Sequence, residues 1–266
     1  MRHVPGLPAL LLGGVLAVLP GLTRAEQVVE VPSRGQSVRI LMDRPAQPKA
    51  SVVLVPGGNG DLHLTPTGGI GSLASNQLVR ARALFVRAGY AVALADIAPD
   101  MRAGDGVRPG YRWSEDHAQD LGAVIAAMRQ VARPVVLVGT SRGALSVANA
   151  ASRLQGAMRP DAVVITSGML MDTGGGQPSV QRNVPGIGAV TQPVLLVVHT
   201  RDACPLSPPD SAARFRPLLR SATKVDVVSL NGGGPGRGDP CEGASPHGFA
   251  GMDQQVVDAI TTWVGR

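Results

Sequence analysis

A serine at residue 141 lies where the sequence passes from a buried strand to a helix. The run 135–145 reads Val-Val-Leu-Val-Gly-Thr-Ser-Arg-Gly-Ala-Leu, so an apolar strand pattern leads into Gly139-x-Ser141-x-Gly143 and then into small residues. A serine in such a tight turn is held in strained backbone geometry with its hydroxyl above the sheet. The pattern predicts a nucleophile; the alternative is an ordinary turn in an α/β protein.

Short apolar runs alternate with longer helical patterns along the chain. The sequence predicts strands over 28–31, 37–42, 52–55, 91–97, 135–138, 162–166, 194–198 and 225–230, and helices over 73–88, 114–131, 144–154, 210–219 and 256–264. Polar positions do not interrupt the strands, so we expect a sheet that is buried on both faces, as parallel sheets covered by helices are. We predict one α/β domain with a mostly parallel sheet of about eight strands and helices on both faces.

The motif Gly139–Gly143, together with the order of strands and helices over the chain after residue 25, resembles the α/β-hydrolase superfamily. That resemblance implies that an acid and then a histidine follow the serine, on loops after later strands. In that superfamily the serine attacks an acyl carbon and the histidine accepts its proton.

His247 is the candidate general base. It is the one histidine of five that follows the last predicted strand and precedes the last predicted helix, which is the position that the resemblance implies. The alternative is a solvent-exposed loop histidine. The other four histidines lie at residues 3, 63, 117 and 199.

Asp202 is the candidate acid, because it follows the strand predicted over 194–198, where the resemblance implies a carboxylate. Its role would be to fix the tautomer of His247 and to stabilise the imidazolium. Asp172, after the preceding strand, is the competing carboxylate, since some members of the superfamily place the acid there. It precedes the glycine-rich run 174–176, and nothing in the sequence fixes its position.

Two cysteines bear on this choice. Cys204 follows Asp202 by two residues and Cys241 precedes His247 by six. A disulfide between them would hold the acid loop beside the histidine loop, and closing a loop of this length constrains the unfolded chain by roughly 4 kcal/mol. A redox-active pair would favour Cys-x-x-Cys spacing, which the sequence lacks. We therefore predict a structural disulfide and prefer Asp202.

The strand over 52–55 leads into Pro-Gly-Gly-Asn-Gly at 56–60. In the superfamily the loop at this point supplies one oxyanion donor and commonly begins with His-Gly, whereas this chain has Pro56. We predict the backbone N–H groups of Gly58 and Arg142 as the donors, with Asn59 as the alternative to Gly58. The loop lacks the patterns that bind phosphate.

Residues 171–192 separate two core strands where larger relatives insert a lid. This segment carries several glycines and prolines and no helical periodicity. We predict an open cleft without a cap domain. The segment 99–113 would form another wall, with Trp113 either in the packing or in contact with substrate.

Residues 1–25 have the pattern of an export signal. Two basic residues precede an apolar run at 7–19, and small residues lead to Ala25. The apolar run is shorter than the roughly 20 residues that a membrane span needs, although an uncleaved anchor is the alternative. Cleavage after Ala25 would leave a hydrolase domain at 26–266 in the periplasm or secreted, where a disulfide is stable.

The composition limits the partners. The net charge is +6 and aromatic residues make up 3% of the chain, but the cations are scattered, so we do not expect nucleic-acid binding. The charge could still favour anionic substrates. We expect no metal and no organic cofactor, because the sequence has no cluster of metal ligands. The oligomeric state stays open.

These features predict an exported serine hydrolase that cleaves carboxylic esters through an acyl-enzyme on Ser141. A peptidase, thioesterase or acyltransferase could use the same three residues. A secreted binding protein that kept the fold without the catalysis is an alternative from another class.

Overall fold

A computed structural model describes residue 1 and residues 24–104 and 106–266. The strands are β1 Arg24–Ser33, β2 Gln36–Arg44, β3 Ala50–Val55, β4 Tyr90–Ala95, β5 Arg102–Ala103, β6 Gly106–Val107, β7 Val135–Thr140, β8 Ala162–Thr166, β9 Val194–His199 and β10 Val225–Leu230. The α-helices are α1 Gln77–Arg87, α2 Glu115–Arg129, α3 Gly143–Arg153, α4 Val180–Asn183, α5 Ser211–Phe215 and α6 Asp253–Val264.

Eight strands form one sheet in the order β1-β2-β4-β3-β7-β8-β9-β10. β1 and β2 form an antiparallel hairpin, β2 pairs antiparallel with β4, and every later pair is parallel. The predicted mostly parallel, eight-stranded sheet is therefore confirmed. The remaining two strands, β5 and β6, form a small separate hairpin.

The sheet separates two hydrophobic cores. Val53 and Val55 of β3 face a core that includes α2 and α3, whereas Val52 and Leu54 face a core that includes α1 and α6. This alternation follows from the period of two along a strand. Central strands are thus buried on both faces, and helices cover each face, as predicted.

All five predicted helices differ from the observed ones by one or more residues at their ends, and in two of them the structure shows why. The helix predicted over 73–88 begins at Gln77, because the Asn76 side chain caps it by accepting a hydrogen bond from the Leu78 N–H. The helix predicted over 210–219 ends at Phe215 and continues only as a 3-10 turn through Leu218. Pro217 explains this end, since proline disfavours a helix interior.

Residues 171–192 contain one turn of α-helix, α4, and a 3-10 turn at Pro185–Ala189. Within the described chain no cap domain lies over the sheet. Residues 2–23 of the predicted export signal lie outside the described residues. No helix in the described ranges is long and apolar enough to span a membrane.

Candidate active site

Ser141 occupies the turn between β7 and α3 with a backbone φ of 53°. This left-handed conformation costs a non-glycine residue about 1–3 kcal/mol, and it persists only where the surroundings enforce it. The Ser141 N–H donates to the Thr166 carbonyl at 3.0 Å, and the Ser141 carbonyl accepts from Ala144 at 3.0 Å. The chain therefore has the strand-turn-helix geometry that the motif predicts.

The glycines around this turn are required by close backbone contacts. A Cβ on Gly139 would lie 2.6 Å from the Gly143 carbonyl oxygen, and a Cβ on Gly143 would lie 2.3 Å from the Val55 carbonyl oxygen. A Cβ on Gly57 would lie 2.8 Å from the Cβ of Ser141. The loop after β3 thus packs directly against the turn, without space for side chains between them.

Asp202 and His247 meet in the structure although 45 residues separate them. Asp202 follows the carboxyl end of β9, and His247 lies in a 3-10 turn, Pro246–Gly248, between β10 and α6. The Nδ1 of His247 lies 2.9 Å from Asp202 Oδ2, and both side chains are buried. Asp202 Oδ1 accepts a hydrogen bond from the Cys204 N–H at 2.9 Å, which orients the carboxylate.

Ser207 takes part in the same contact, and the sequence analysis did not identify it. Its Oγ donates to Asp202 Oδ2 at 2.9 Å and lies 2.8 Å from His247 Nδ1. One arrangement satisfies all three groups. The Nδ1–H of His247 points at both oxygens, while the Ser207 hydroxyl donates to the carboxylate. No sequence pattern distinguishes Ser207 from other loop serines.

The competing carboxylate has a different environment. Asp172 is partly exposed and forms an ion pair with Arg182 at 2.6 Å. It also accepts a hydrogen bond from the Gly174 N–H, and these contacts lower the pKa of the Asp172 carboxyl. The structure therefore brings Asp202 to His247 and leaves Asp172 paired with Arg182.

The two cysteines lie together. The Sγ atoms of Cys204 and Cys241 are 2.01 Å apart, and the Cα atoms are 4.7 Å apart. This pair connects the loop that carries Asp202 with the segment that leads to His247, the connection that the sequence predicts.

His247 presents its second nitrogen to the same cavity as Ser141. The Nε2 of His247 is buried and lacks a hydrogen-bond partner among the described residues. A cavity of about 100 Å³ is lined by Ser141 and His247, and Gly58 and Arg142 also line it. The Ser141 hydroxyl is therefore not hydrogen-bonded to His247 in this structure, and Nε2 is free to accept a proton from it once the two come within hydrogen-bond reach.

Gly58 has a φ of 58° in the loop after β3. Arg112, a buried cation that the sequence analysis did not single out as a site residue, holds this loop. Its Nη2 donates to the carbonyls of Pro56 and Gly57, at 3.1 Å each, and its Nη1 donates to Ser146 Oγ on α3 at 3.0 Å.

The bond from Arg112 to Gly57 bears on the oxyanion donor. The Gly57 carbonyl and the Gly58 N–H belong to one peptide unit, and in a trans peptide they point in opposite directions. Arg112 therefore fixes the Gly58 N–H to point away from the guanidinium. Burial lowers the pKa of Arg112 to about 10, so the guanidinium stays charged at neutral pH.

A second cavity of about 370 Å³ adjoins the first, and Gly58 and Arg142 line both. Trp113, which is half-buried, forms part of its wall together with residues of the β5–β6 hairpin. The segment 99–113 thus forms a wall of the cleft, as expected from the sequence.

The remaining described histidines lie elsewhere. The His199 ring packs on Phe249, and burial lowers the pKa of its imidazole. His117 packs against Tyr111 with ring centroids 4.3 Å apart, and burial lowers its pKa to about 3. His63 is half-exposed beside Asp61.

Comparison with known proteins gives matches at the level of structure. No family profile and no curated protein matches the sequence. An esterase from Pyrococcus furiosus superposes with a TM-score of 0.61 at 14% identity, covering 97% of this chain and 96% of that one. The butyrate-bound esterase Est2 from Thermogutta terrifontis gives 0.58 at 16% identity, covering 90% and 94%. A puromycin-hydrolysing peptidase from Mycobacterium tuberculosis gives 0.59 at 18% identity, covering 94% of this chain but 41% of that one. The sheet order and these superpositions together establish that the chain has the α/β-hydrolase fold.

Proposed function

We propose that this protein is an exported serine hydrolase that cleaves carboxylic esters through an acyl-enzyme on Ser141. The observation that carries the proposal is the shared cavity, in which Ser141 lies with the unpaired Nε2 of His247 while Nδ1 is bound to Asp202 at 2.9 Å. These contacts support Ser141 as nucleophile, His247 as base and Asp202 as the orienting carboxylate.

The reaction begins with attack of the Ser141 Oγ on the acyl carbon, while His247 Nε2 takes the hydroxyl proton. Asp202 holds the Nδ1–H tautomer and stabilises the imidazolium. The backbone N–H groups of Gly58 and Arg142 donate to the oxyanion, and each such donor typically contributes a factor of roughly 10²–10³ to turnover.

Collapse of the tetrahedral intermediate breaks the bond to the leaving alcohol, which takes the proton from His247. A water molecule then attacks the acyl-enzyme while His247 takes its proton; the bond from Ser141 Oγ to the acyl carbon breaks, Oγ takes the proton back from His247, and the carboxylic acid leaves. Both half-reactions use the same groups, so atoms and charges balance without a metal or an organic cofactor.

The choice of an ester substrate follows the named structural neighbours, which include esterases from two organisms. The proposed export is supported by two features of this chain. The signal-like pattern at 1–25 and the cysteine pair at bonding distance fit an oxidising compartment.

Fluorophosphonate labelling tests the mechanism. We expect stoichiometric labelling of the purified protein at Ser141, hydrolysis of 4-nitrophenyl esters, and loss of both in Ser141→Ala. Ser75→Ala is the matched control, since Ser75 is an exposed serine on the rim of the same cavity. Absence of labelling in the native protein would instead favour a binding protein of the same fold.

A panel of esters, thioesters, amides and acyl acceptors tests the reaction type. We expect the highest kcat/KM for oxygen esters. Faster cleavage of amides or thioesters, or net acyl transfer to an added alcohol, would assign the site to the other acyl-transfer classes. Amino-terminal sequencing of exported protein should find Glu26 as the first residue; retention of the segment 1–25 would contradict cleavage.

A further inference from the structure

The second cavity has an unusual distribution of charge. Arg108, Arg112 and Arg142 line it, and its described lining residues include neither aspartate nor glutamate. Within the described residues none of these three arginines forms an ion pair. Elsewhere arginines commonly pair with carboxylates, as Arg80 does with Asp253 at 2.8 Å. The described lining of the cavity therefore carries three positive charges and no negative charge.

One of these cations is buried. Arg112 is 6% exposed, and its Nε lacks a hydrogen-bond partner among the described residues. Its other nitrogens bind neutral oxygens, two carbonyls and a hydroxyl. The charge of Arg142 adds to burial in lowering the Arg112 pKa. A buried cation without a carboxylate is costly, and an anion bound nearby would offset that cost.

Apart from the arginines, the lining is mostly apolar, with Asn59 as a polar member. Six apolar side chains provide this surface: Ala103, Val107, Pro109, Trp113, Leu145 and Pro178. Such a wall suits an alkyl or aromatic chain, and exposed Arg108 and Arg142 can reach an anionic group at its end. The matching ligand is amphipathic, with an apolar body and one negative charge.

The positions of the two cavities indicate which part of an ester enters the second one. His247 must protonate the leaving alcohol, and it lines the first cavity but not the second. Gly58 and Arg142, the proposed donors to the acyl oxygen, line both. With the alcohol beside His247, the acyl chain extends past Gly58 and Arg142 into the second cavity. At about 100 Å³ the first cavity alone is smaller than typical ligand pockets of roughly 300–1,000 Å³.

We propose that the second cavity is a subsite for a negatively charged acyl chain, so that the preferred substrates are half-esters of dicarboxylic acids. This inference rests on the proposed ester hydrolysis and names its substrate class. Arg108 and Arg142 bind the distal carboxylate, and Trp113 and Leu145 contact the methylene chain.

Matched substrates test the proposal. The 4-nitrophenyl half-ester of adipic acid and 4-nitrophenyl hexanoate differ by a carboxylate in place of a methyl group. A charge-assisted hydrogen bond contributes about 1.5–3 kcal/mol, so we expect kcat/KM to favour the adipate ester roughly 10- to 100-fold at low salt. This ratio should fall as NaCl is added, because salt screens exposed cations. Equal kcat/KM for the two esters would overturn the subsite while leaving ester hydrolysis intact.

Variants assign the effect to the cavity. Arg108→Gln should reduce the adipate-to-hexanoate ratio of kcat/KM about tenfold. Arg142→Gln should also reduce the ratio. Arg220→Gln removes an exposed arginine before the amino end of β10, at the opposite edge of the sheet, and should leave the ratio unchanged. A similar decrease in Arg220→Gln would assign the preference to net charge rather than to the subsite.

A binding measurement keeps the test independent of turnover. In Ser141→Ala with Trp263→Phe, Trp113 is the remaining tryptophan, and monomethyl adipate should change its fluorescence saturably. Methyl hexanoate should bind more weakly, and Arg108→Gln should remove the difference. Equal affinity of the two ligands would contradict the proposed subsite. Because this experiment measures binding, it is informative even if labelling shows that the protein is not a hydrolase.

Discussion

The serine side of the site and its acid–base side are held together by different means. The serine side comprises the loop 56–58, the turn 139–143 and Arg112. Its groups are mainly backbone atoms, and glycines bring two segments within contact of each other. One buried guanidinium bonds to both the loop and α3.

The acid–base side comprises Asp202, Ser207, His247 and the pair Cys204–Cys241. It consists of side chains on two loops that follow neighbouring strands, β9 and β10. These loops are joined by one cysteine pair and by hydrogen bonds of 2.8–2.9 Å. Close packing therefore positions Ser141, the proposed nucleophile, whereas cross-links between loops position His247, the proposed base. Perturbations should therefore act on the two sides separately.

The largest effect is expected from Gly143→Ala, which places a Cβ 2.3 Å from the Val55 carbonyl oxygen. The turn must shift, and a misplacement of about 1 Å can cost roughly a hundredfold in rate. We expect at least that loss in the rate of fluorophosphonate labelling. Gly234→Ala, where a Cβ meets open space, is the control. Labelling of Gly143→Ala at the native rate would show that packing does not position the serine.

Removal of the cysteine pair should act on the other side. For a separation of 37 residues, the entropy model predicts that Cys204→Ala with Cys241→Ala lowers the free energy of unfolding by about 4 kcal/mol. Urea unfolding measures this, and a reductant should destabilise the native protein but not the double variant.

Hydrogen exchange can then separate the two sides. In the double cysteine variant we expect faster amide exchange in the loops around Asp202 and His247, with little change around Ser141. Equal acceleration in both regions would contradict their independence.

Arg112→Met should weaken the serine side without removing a catalytic group. Loss of the bonds to Pro56 and Gly57 frees the peptide that carries the Gly58 N–H. We expect kcat for a neutral ester to fall by roughly tenfold to a hundredfold, with KM nearly unchanged. Arg112→Lys should recover part of kcat. A change in KM alone would assign Arg112 to substrate binding instead.

Ser207→Ala should have the smallest effect. The Asp202 carboxylate keeps its bonds to His247 and to the Cys204 N–H, so one hydrogen bond worth about 1 kcal/mol is lost. We expect kcat to fall by a few-fold, and Ser207→Thr, which keeps the hydroxyl, to retain most of the activity. A hundredfold loss of kcat would show that Ser207 does more than support the contact between Asp202 and His247.

The same contrast explains which features could be predicted from the sequence. β8 and β10 have the predicted bounds, because short β-branched runs between turns are clear strand patterns. The turn at Ser141 follows from its local glycine spacing. The contact between Asp202 and His247 could be predicted only with the help of the resemblance to the α/β-hydrolase superfamily, because the residues alone do not indicate it.

Ser207 and Arg112 could not be recognised in this way. Their partners are distant in the chain: Ser207 and His247 are 40 residues apart, and Arg112 and Pro56 are 56 apart. Their importance depends on tertiary contacts that no local pattern encodes. The bounds of α1 and α5 were also hard to predict. The Asn76 side chain sets the start of α1, and Pro217 sets the end of α5.

The backbone character of the serine side has a consequence for the evolution and engineering of this protein. The proposed oxyanion donors are main-chain groups, and contacts at Gly57, Gly139 and Gly143 exclude larger side chains. We therefore expect substitutions there to damage the chemistry before they alter selectivity. The walls are different, because residues with variable side chains such as Leu73 and Leu206 line the first cavity. We expect libraries at these wall positions to change the preference for the leaving alcohol while the proton-transfer groups stay in place. Substitutions in the cavity walls can therefore change the substrate range of this protein, whereas substitutions at the three glycines would impair the reaction itself.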